Sequence, residues 1–188
     1  NKESNMKQCV LVGNAKFVVN HGELIDSYDD VYRFNRFRTI DFESKVGSKC
    51  THWILNLKLV IDQRDYFRRN IDKLKKIHPN LNTTIVMTTS TNTEAIHKLD
   101  KIKSKYDGFD YNISKFRLDS KYKPSTGMVA IDYLLDKYEV LNLVGFDFGK
   151  TKHYWGVEGH SDIPGNHSWN LEIDYVNKLI ENKRVKIW

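Results

Sequence analysis

Six short runs rich in apolar and β-branched residues alternate along this 188-residue chain with stretches of helical periodicity. No other feature restricts its fold as strongly. The runs are "KQCVLV" (7–12), "DVYRFN" (30–35), "THWILN" (51–56), "TTIVMTT" (83–89), "VLNLV" (140–144) and "RVKIW" (184–188). Their lengths and residue types are those of strands. Between them, residues 59–77 carry apolar side chains near helical spacing. Residues 92–106 put Ala95, Ile96, Leu99 and Ile102 on one side, and residues 126–138 form a third helix. Trp169, Ile173, Val176 and Ile180 recur at helical spacing, which predicts a last helix over 168–182. Strands alternating with helices predict an α/β fold: a mostly parallel, twisted sheet with helices on both faces.

A chain of this length buries a sizeable core as one domain, here 1–188. Residues 1–5 precede a Met that would make a plausible start and read as an added remnant. In open α/β sheets, ligands bind outside the carboxyl ends of the strands, where the strand order reverses. That rule singles out Gly13 and Asn14, Asn35, and Gly145, Phe146 and Asp147 as one rim. Residues 103–123 have weak periodicity and read as a lid or an acceptor loop.

No run approaches the length of about 18 apolar residues that a spanning helix needs, and no signal peptide is visible. Cys9 and Cys50 are too few for a disulfide framework and lack metal-ligand spacing. The expected location is a reducing cytoplasm. The net charge of +6 and pI of about 9.1 favour anionic partners. A nucleic-acid binder would need a contiguous basic stripe with aromatics. The densest basic cluster, "RRNIDKLKKIH" (68–78), reads instead as the solvated face of a helix. Nucleic acid is therefore not expected, and peripheral contact with an anionic membrane surface is the alternative to a solvated face.

Four places carry polar residues where a core does not ask for them. In "VGNAK" (12–16) a glycine after a strand lets the backbone approach a ligand, and Asn14 can read it; plain turn chemistry is the competing account. No G-x-G-x-x-G is present, so a dinucleotide fingerprint is absent. Asn35 ends a strand between aromatics, where it either meets a ligand or satisfies local backbone. "PSTG" (124–127) opens a helix whose first N–H groups favour anions, with Ser125, Thr126 and Gly127 at hand; simple capping is the alternative. "HYWGVEGHSDIPGNHSWNLE" (153–172) holds three histidines in fifteen residues, at no zinc spacing. Histidine is the side chain best placed to act as a base near neutral pH. Glu172 falls in the first turn of the last helix, where dipole complementarity alone would suit it. No Asp-x-Asp occurs, so a phosphate would be neutralised by protein groups. Neither a cofactor nor a metal is expected.

These four places, in this order, resemble the animal-type sialyltransferases of glycosyltransferase family 29. "CVLVGNAKFVVNHGELIDSYDDVYRFNRFRTIDFESKVGSKCTH" (9–52) is similar to their large sialylmotif. "PSTG" with "GFDFG" is similar to the small motif, "HYW" to motif three, and "HSWNLE" to the His-x-x-x-x-Glu of the very small motif. "GFDF" and "GHS" also resemble the bacterial family 42 sialyltransferases, and through them the transferases of Kdo. Secreted members of family 29 bridge the large and small motifs with a disulfide; Cys9 matches one half, and no cysteine lies between Pro124 and Gly149.

The resemblance implies a single Rossmann-like, GT-A-like glycosyltransferase domain. It implies metal-independent, inverting transfer of a sugar acid, sialic acid foremost, from a CMP donor to a glycan hydroxyl. A CMP-Kdo transferase or a CMP-sugar-binding module without its own activity are the alternatives. The implied roles are contact with CMP by Asn14 and Asn35, and with the donor's carboxylate or phosphate by Ser125, Thr126 and Gly127. Gly145, Phe146 and Asp147 would wall the cytidine pocket. His153 and Tyr154 would sit near the phosphate, and Glu172 would orient the site. His167 would be the general base, with His160 as its rival.

Overall fold

The computed structural model describes residues 7–16, 19–62, 65–151, 153–154 and 168–188. Seven parallel strands form one sheet: β1 (Cys9–Val12), β2 (Asp30–Phe34), β3 (His52–Asn56), β4 (Thr83–Thr88), β5 (Phe109–Ile113), β6 (Leu141–Val144) and β7 (Val185–Ile187). Their order is β5-β4-β3-β2-β1-β6-β7. The chain therefore works outward from β1 to β5, then returns to lay β6 on the other side of β1. The register pairs Val12 with Arg33 on one flank of β1 and with Val144 on the other. The strand order reverses at this junction, so the crevice outside the carboxyl ends of β1 and β6 is the expected ligand position.

Handedness explains the layers. Right-handed crossovers put connecting helices on one face while the chain moves one way, and on the other once it turns back. On the first face lie α1 (Gly22–Asp26), α2 (Glu43–Val46), α3 (Lys58–Ile61), α4 (Tyr66–Ile77) and α5 (Thr93–Lys103); on the second lie α6 (Thr126–Leu135) and α7 (Trp169–Glu181). Strand alternation serves both faces. Cys9 and Leu11, Ile54, Leu141 and Leu143 pack with Met128, Ile131, Leu134 and Val176 of α6 and α7. Trp53, Leu55 and Val86 pack with Leu59, Phe67, Ile71 and Leu99 on the first face. Val10, Val12 and Val31 meet Ile25 and Val46 there too. A fully buried aliphatic side chain of this kind contributes about 1.5–3 kcal/mol.

Two sequence expectations need correction. The stretch 103–123 is not a loop throughout, because β5 pairs along β4 from Thr84–Phe109 to Thr88–Ile113. Its edge position leaves "FDYNI" only partly buried, which hides the strand pattern. The segment after it is anchored, with Tyr122 buried and Phe116 packed against it and Tyr175. The single helix expected over 59–77 is two, α3 and α4. Asp65 adopts a left-handed conformation, φ 57°, and caps α4 by accepting the Arg68 N–H. Helices α1 and α2 span five and four residues, too short to display a period.

Cys9 and Cys50 are both free and buried. Burial pushes each thiol up to about 12. Two histidines, His52 half-buried and His78 buried, give the fold a pH dependence. His52 stacks on Tyr32 with ring centroids 4.2 Å apart, and the His78 Nδ1–H donates to the Ser48 carbonyl at 2.9 Å. Burial depresses both imidazoles below the ordinary histidine value. The unfolded chain then binds protons first as pH falls, so stability is full above about pH 6.5 and declines below it. The expected result is a lower Tm at pH 5.5 than at pH 7.5, with the slope reduced in a His52→Gln, His78→Gln variant. An unchanged slope in that variant would assign the pH dependence elsewhere.

Candidate active site

A cleft of about 270 Å³ opens at the β1/β6 junction. Gly13 begins the turn after β1, and its N–H donates to the Val144 carbonyl at 2.8 Å. A Cβ there would lie 2.3 Å from the Gly145 oxygen, so only glycine lets the two exit turns touch. Gly145 itself has φ 72°. Phe146 then meets Phe34 edge-to-face, with centroids 5.7 Å apart, as one aromatic wall.

Asn14 and Asn35 line the cleft, and each is locked by backbone. Asn14 Nδ2 donates to the carbonyls of Phe34 (3.0 Å) and Arg36 (3.3 Å). Asn35, at φ 49°, accepts the Asn56 N–H on its Oδ1 at 2.8 Å, while its carbonyl accepts the Trp53 indole N–H at 2.7 Å. Local satisfaction and cleft placement therefore coexist in both residues.

The opposite wall is the start of α6. Ser125 is the N-cap, and its Oγ accepts the Met128 N–H at 3.1 Å. The same hydroxyl donates to Glu172 Oε2 at 2.8 Å, and the Ser125 N–H donates to Oε1 at 2.8 Å. Tyr122 donates its hydroxyl to Oε1 at 2.9 Å. Burial and this carboxylate hold the Tyr122 phenol above its ordinary pKa, keeping it a donor. Glu172 is 1% exposed. Its side chain pins α7 to the N-terminus of α6. Ser125's hydroxyl is thus committed within the protein. The N–H groups of Thr126 and Gly127, at a helix N-terminus, find no partner among the described residues, and both residues line the cleft.

His153 and Asp147 also line the cleft, and Tyr154 is not among the described residues that do. The Tyr154 hydroxyl instead exchanges hydrogen bonds with the Arg38 backbone, and its ring packs edge-on against Phe42. Its N–H donates to the Asn14 carbonyl at 3.1 Å, so it braces the Asn14 turn from behind. His160 and His167 lie outside the described residues. Sequence reasoning missed Asn56, Phe34 and Trp169 as lining residues. Asn56 ends its strand as Asn35 does, which was the available signal. Trp169 was read as helix core, yet its indole packs directly on Gly149.

A family model, glycosyltransferase family 29 (sialyltransferase), matches residues 1–184. The chain belongs to this family. It is 26% identical, over 97% of its own length, to the chicken (Gallus gallus) CMP-N-acetylneuraminate-beta-galactosamide-alpha-2,3-sialyltransferase 1, and covers 58% of that relative. It is 24% identical to the mouse (Mus musculus) type 2 lactosamine alpha-2,3-sialyltransferase, covering 64% of it. The chain thus spans less than two thirds of the length of the curated relatives it matches. Among solved structures, the monofunctional alpha-2,3-sialyltransferase Cst-I from Campylobacter jejuni superimposes with a TM-score of 0.72 at 18% identity, over 98% of this chain and 76% of that one. A mammalian sialyltransferase in complex with Gal-beta-1-3GalNAc-ortho-nitrophenol gives 0.64 at 20%, over 97% and 69%. The sialyltransferase CST-II in complex with a trisaccharide acceptor and CMP gives 0.66 at 15%, over 97% and 80%. These likenesses bear out the expected α/β sialyltransferase fold.

Proposed function

We propose that the protein transfers a sugar acid, sialic acid foremost, from a CMP-activated donor to a glycan hydroxyl, with inversion and without a metal. The observation that carries this reading is convergence. Residues from the large motif (Asn14, Asn35), the small motif (Thr126, Gly127, Phe146), motif three (His153) and the very small motif (Glu172) all line one cleft at the strand-order reversal. The two amides at the start of α6, without a partner among the described residues, suit the donor's carboxylate or phosphate, and His153 stands on the same cleft. His167 is assigned the base. It precedes Ser168, and the next residue, Trp169, lines the cleft.

The step follows from that assignment. His167 takes the proton of the acceptor hydroxyl while its oxygen bonds to the anomeric carbon from the face opposite CMP. The bond from that carbon to the phosphate oxygen breaks with oxocarbenium character, and CMP leaves carrying the electron pair. Donors already aimed at the phosphate stabilise the charge that develops there.

The test is CMP release, measured separately with CMP-sialic acid and CMP-Kdo, each with and without a lactose-type acceptor and with EDTA present or absent. Release with CMP-sialic acid that survives chelation is expected. Release from CMP-Kdo alone would reassign the donor. Loss of turnover in EDTA, restored by magnesium or manganese, would overturn the metal-free chemistry. CMP binding with no release from either donor would favour a binding module.

A further inference from the structure

The first turn of α7 brings two residues to the cleft, Trp169 and Glu172, which stand three positions apart and so share a helix face. Each ties that turn to a different wall. Glu172 reaches the start of α6 through Ser125. Trp169 reaches the turn after β6. A Cβ on Gly149 would lie 2.5 Å from Cε2 and 2.6 Å from Nε1 of the indole, so the ring covers the glycine and leaves no room for a side chain. The turn beneath it has an uncommon backbone. Phe148 has φ 54° and Gly149 φ 81°, two left-handed residues in succession. A residue as bulky as phenylalanine rarely adopts this region, and such conformations persist only where the surroundings fix them. The Trp169 indole, lying on Gly149, is such a surrounding group.

The packing that seats α7 comes from elsewhere. Val176 is buried at its centre, and Leu171, Tyr175 and Leu179 pack against the same cluster. Among the described residues, Trp169 is half-buried and belongs to none of the three buried clusters. We propose that Trp169 is a positioning residue for the transfer. By clamping Gly149 it fixes where the chain enters α7, and with it the base, His167, two positions earlier in the chain. The role rests on the assignment of His167 made above. It requires no contact between the indole and either substrate. A catalytic group displaced by about 1 Å costs on the order of a hundredfold in rate, so a clamp at this point acts on the chemical step.

The test is steady-state kinetics on the full chain with CMP-sialic acid and lactose. It compares wild type, Trp169→Phe, Trp169→Ala, Gly149→Ala and the double variant Gly149→Ala, Trp169→Ala, with His167→Ala as the reference. Trp169→Ala is expected to lose about ten- to hundredfold in kcat and to keep its donor KM. The limb of its kcat pH profile that reports protonation of the base should flatten. Trp169→Phe, still aromatic, should recover part of the rate. Gly149→Ala should lower kcat on its own, because its Cβ displaces the indole, and cost little more once Trp169→Ala is present; residues in contact are non-additive in this way. Wild-type kcat and pH profile in Trp169→Ala would overturn the role. So would a loss confined to donor KM, which would make the indole a binding wall, and so would additive effects of the two substitutions. Should Trp169→Ala fold poorly, Gly149→Ala carries the test, and unchanged kcat in that variant overturns the role. An active His167→Ala would remove the base assignment and the positioning role together. An inactive His167→Ala beside fully active Trp169 variants would remove the positioning role alone.

Discussion

Glu172→Ala is expected to cost roughly 3–5 kcal/mol of stability, by the mechanism that makes broken buried polar networks expensive. The substitution strands three donors: the Tyr122 hydroxyl, the Ser125 N–H and the Ser125 hydroxyl. Each unsatisfied buried group costs about 1–3 kcal/mol, and water entering the space left by the carboxylate recovers part of the sum. For a domain of this size the fall in Tm is roughly 10 °C. Glu172→Gln keeps the shape and two of the accepting contacts, and is expected to lose about 1–2 kcal/mol. CMP affinity should fall with stability in both variants, because the carboxylate sets the start of α6. A Glu172→Ala protein with unchanged Tm and CMP affinity but no turnover would make Glu172 a chemical participant and not a clamp.

His167→Ala is expected to lower turnover by about 10²- to 10⁴-fold, the usual contribution of a positioned base. CMP binding and Tm should hardly move, since the apolar face of α7, with Val176 buried at its centre, anchors that helix independently. The kinetic pattern expected is a loss in kcat with little change in KM for the donor. His160→Ala is the informative control. If His160→Ala binds CMP but does not turn over, while His167→Ala remains active, the base is the histidine of "GHS" and the closer chemical kinship is with family 42.

The strands were legible because parallel sheets covered on both faces demand continuous apolar runs, and "CVLV" and "TTIVMT" supply them. "DVYRFN" reads as a strand, and it is one, but all five residues of β2 are buried, polar ones included. Arg33 is fully buried beneath helices, donating to the carbonyls of Lys49 (2.8 Å) and Val46 (2.7 Å). Asp30 is buried too, accepting from Tyr138 at 2.6 Å and Lys7 at 3.2 Å. Polar residues within the strand are inward groups held by distant partners, which no local pattern displays, although Arg33 Nη1 finds none among the described residues. Glu172 makes the same point. Sequence position suggested an acid complementing its own helix, α7, whereas tertiary packing delivers it to the N-terminus of α6, 47 positions away. The rim glycines and asparagines were legible because strand-end turns that meet at a cleft need small or backbone-binding residues. Tyr154 was not, since nothing in "HYW" indicates which of His153 and Tyr154 turns toward the cleft.

A CMP site in the β1/β6 crevice should show in thermal unfolding with saturating CMP, against NAD at the same concentration. A ligand present at about a hundred times its Kd stabilises the fold by roughly 2.7 kcal/mol. The expected result is a clear rise in Tm with CMP and none with NAD. A rise with NAD and none with CMP would contradict it.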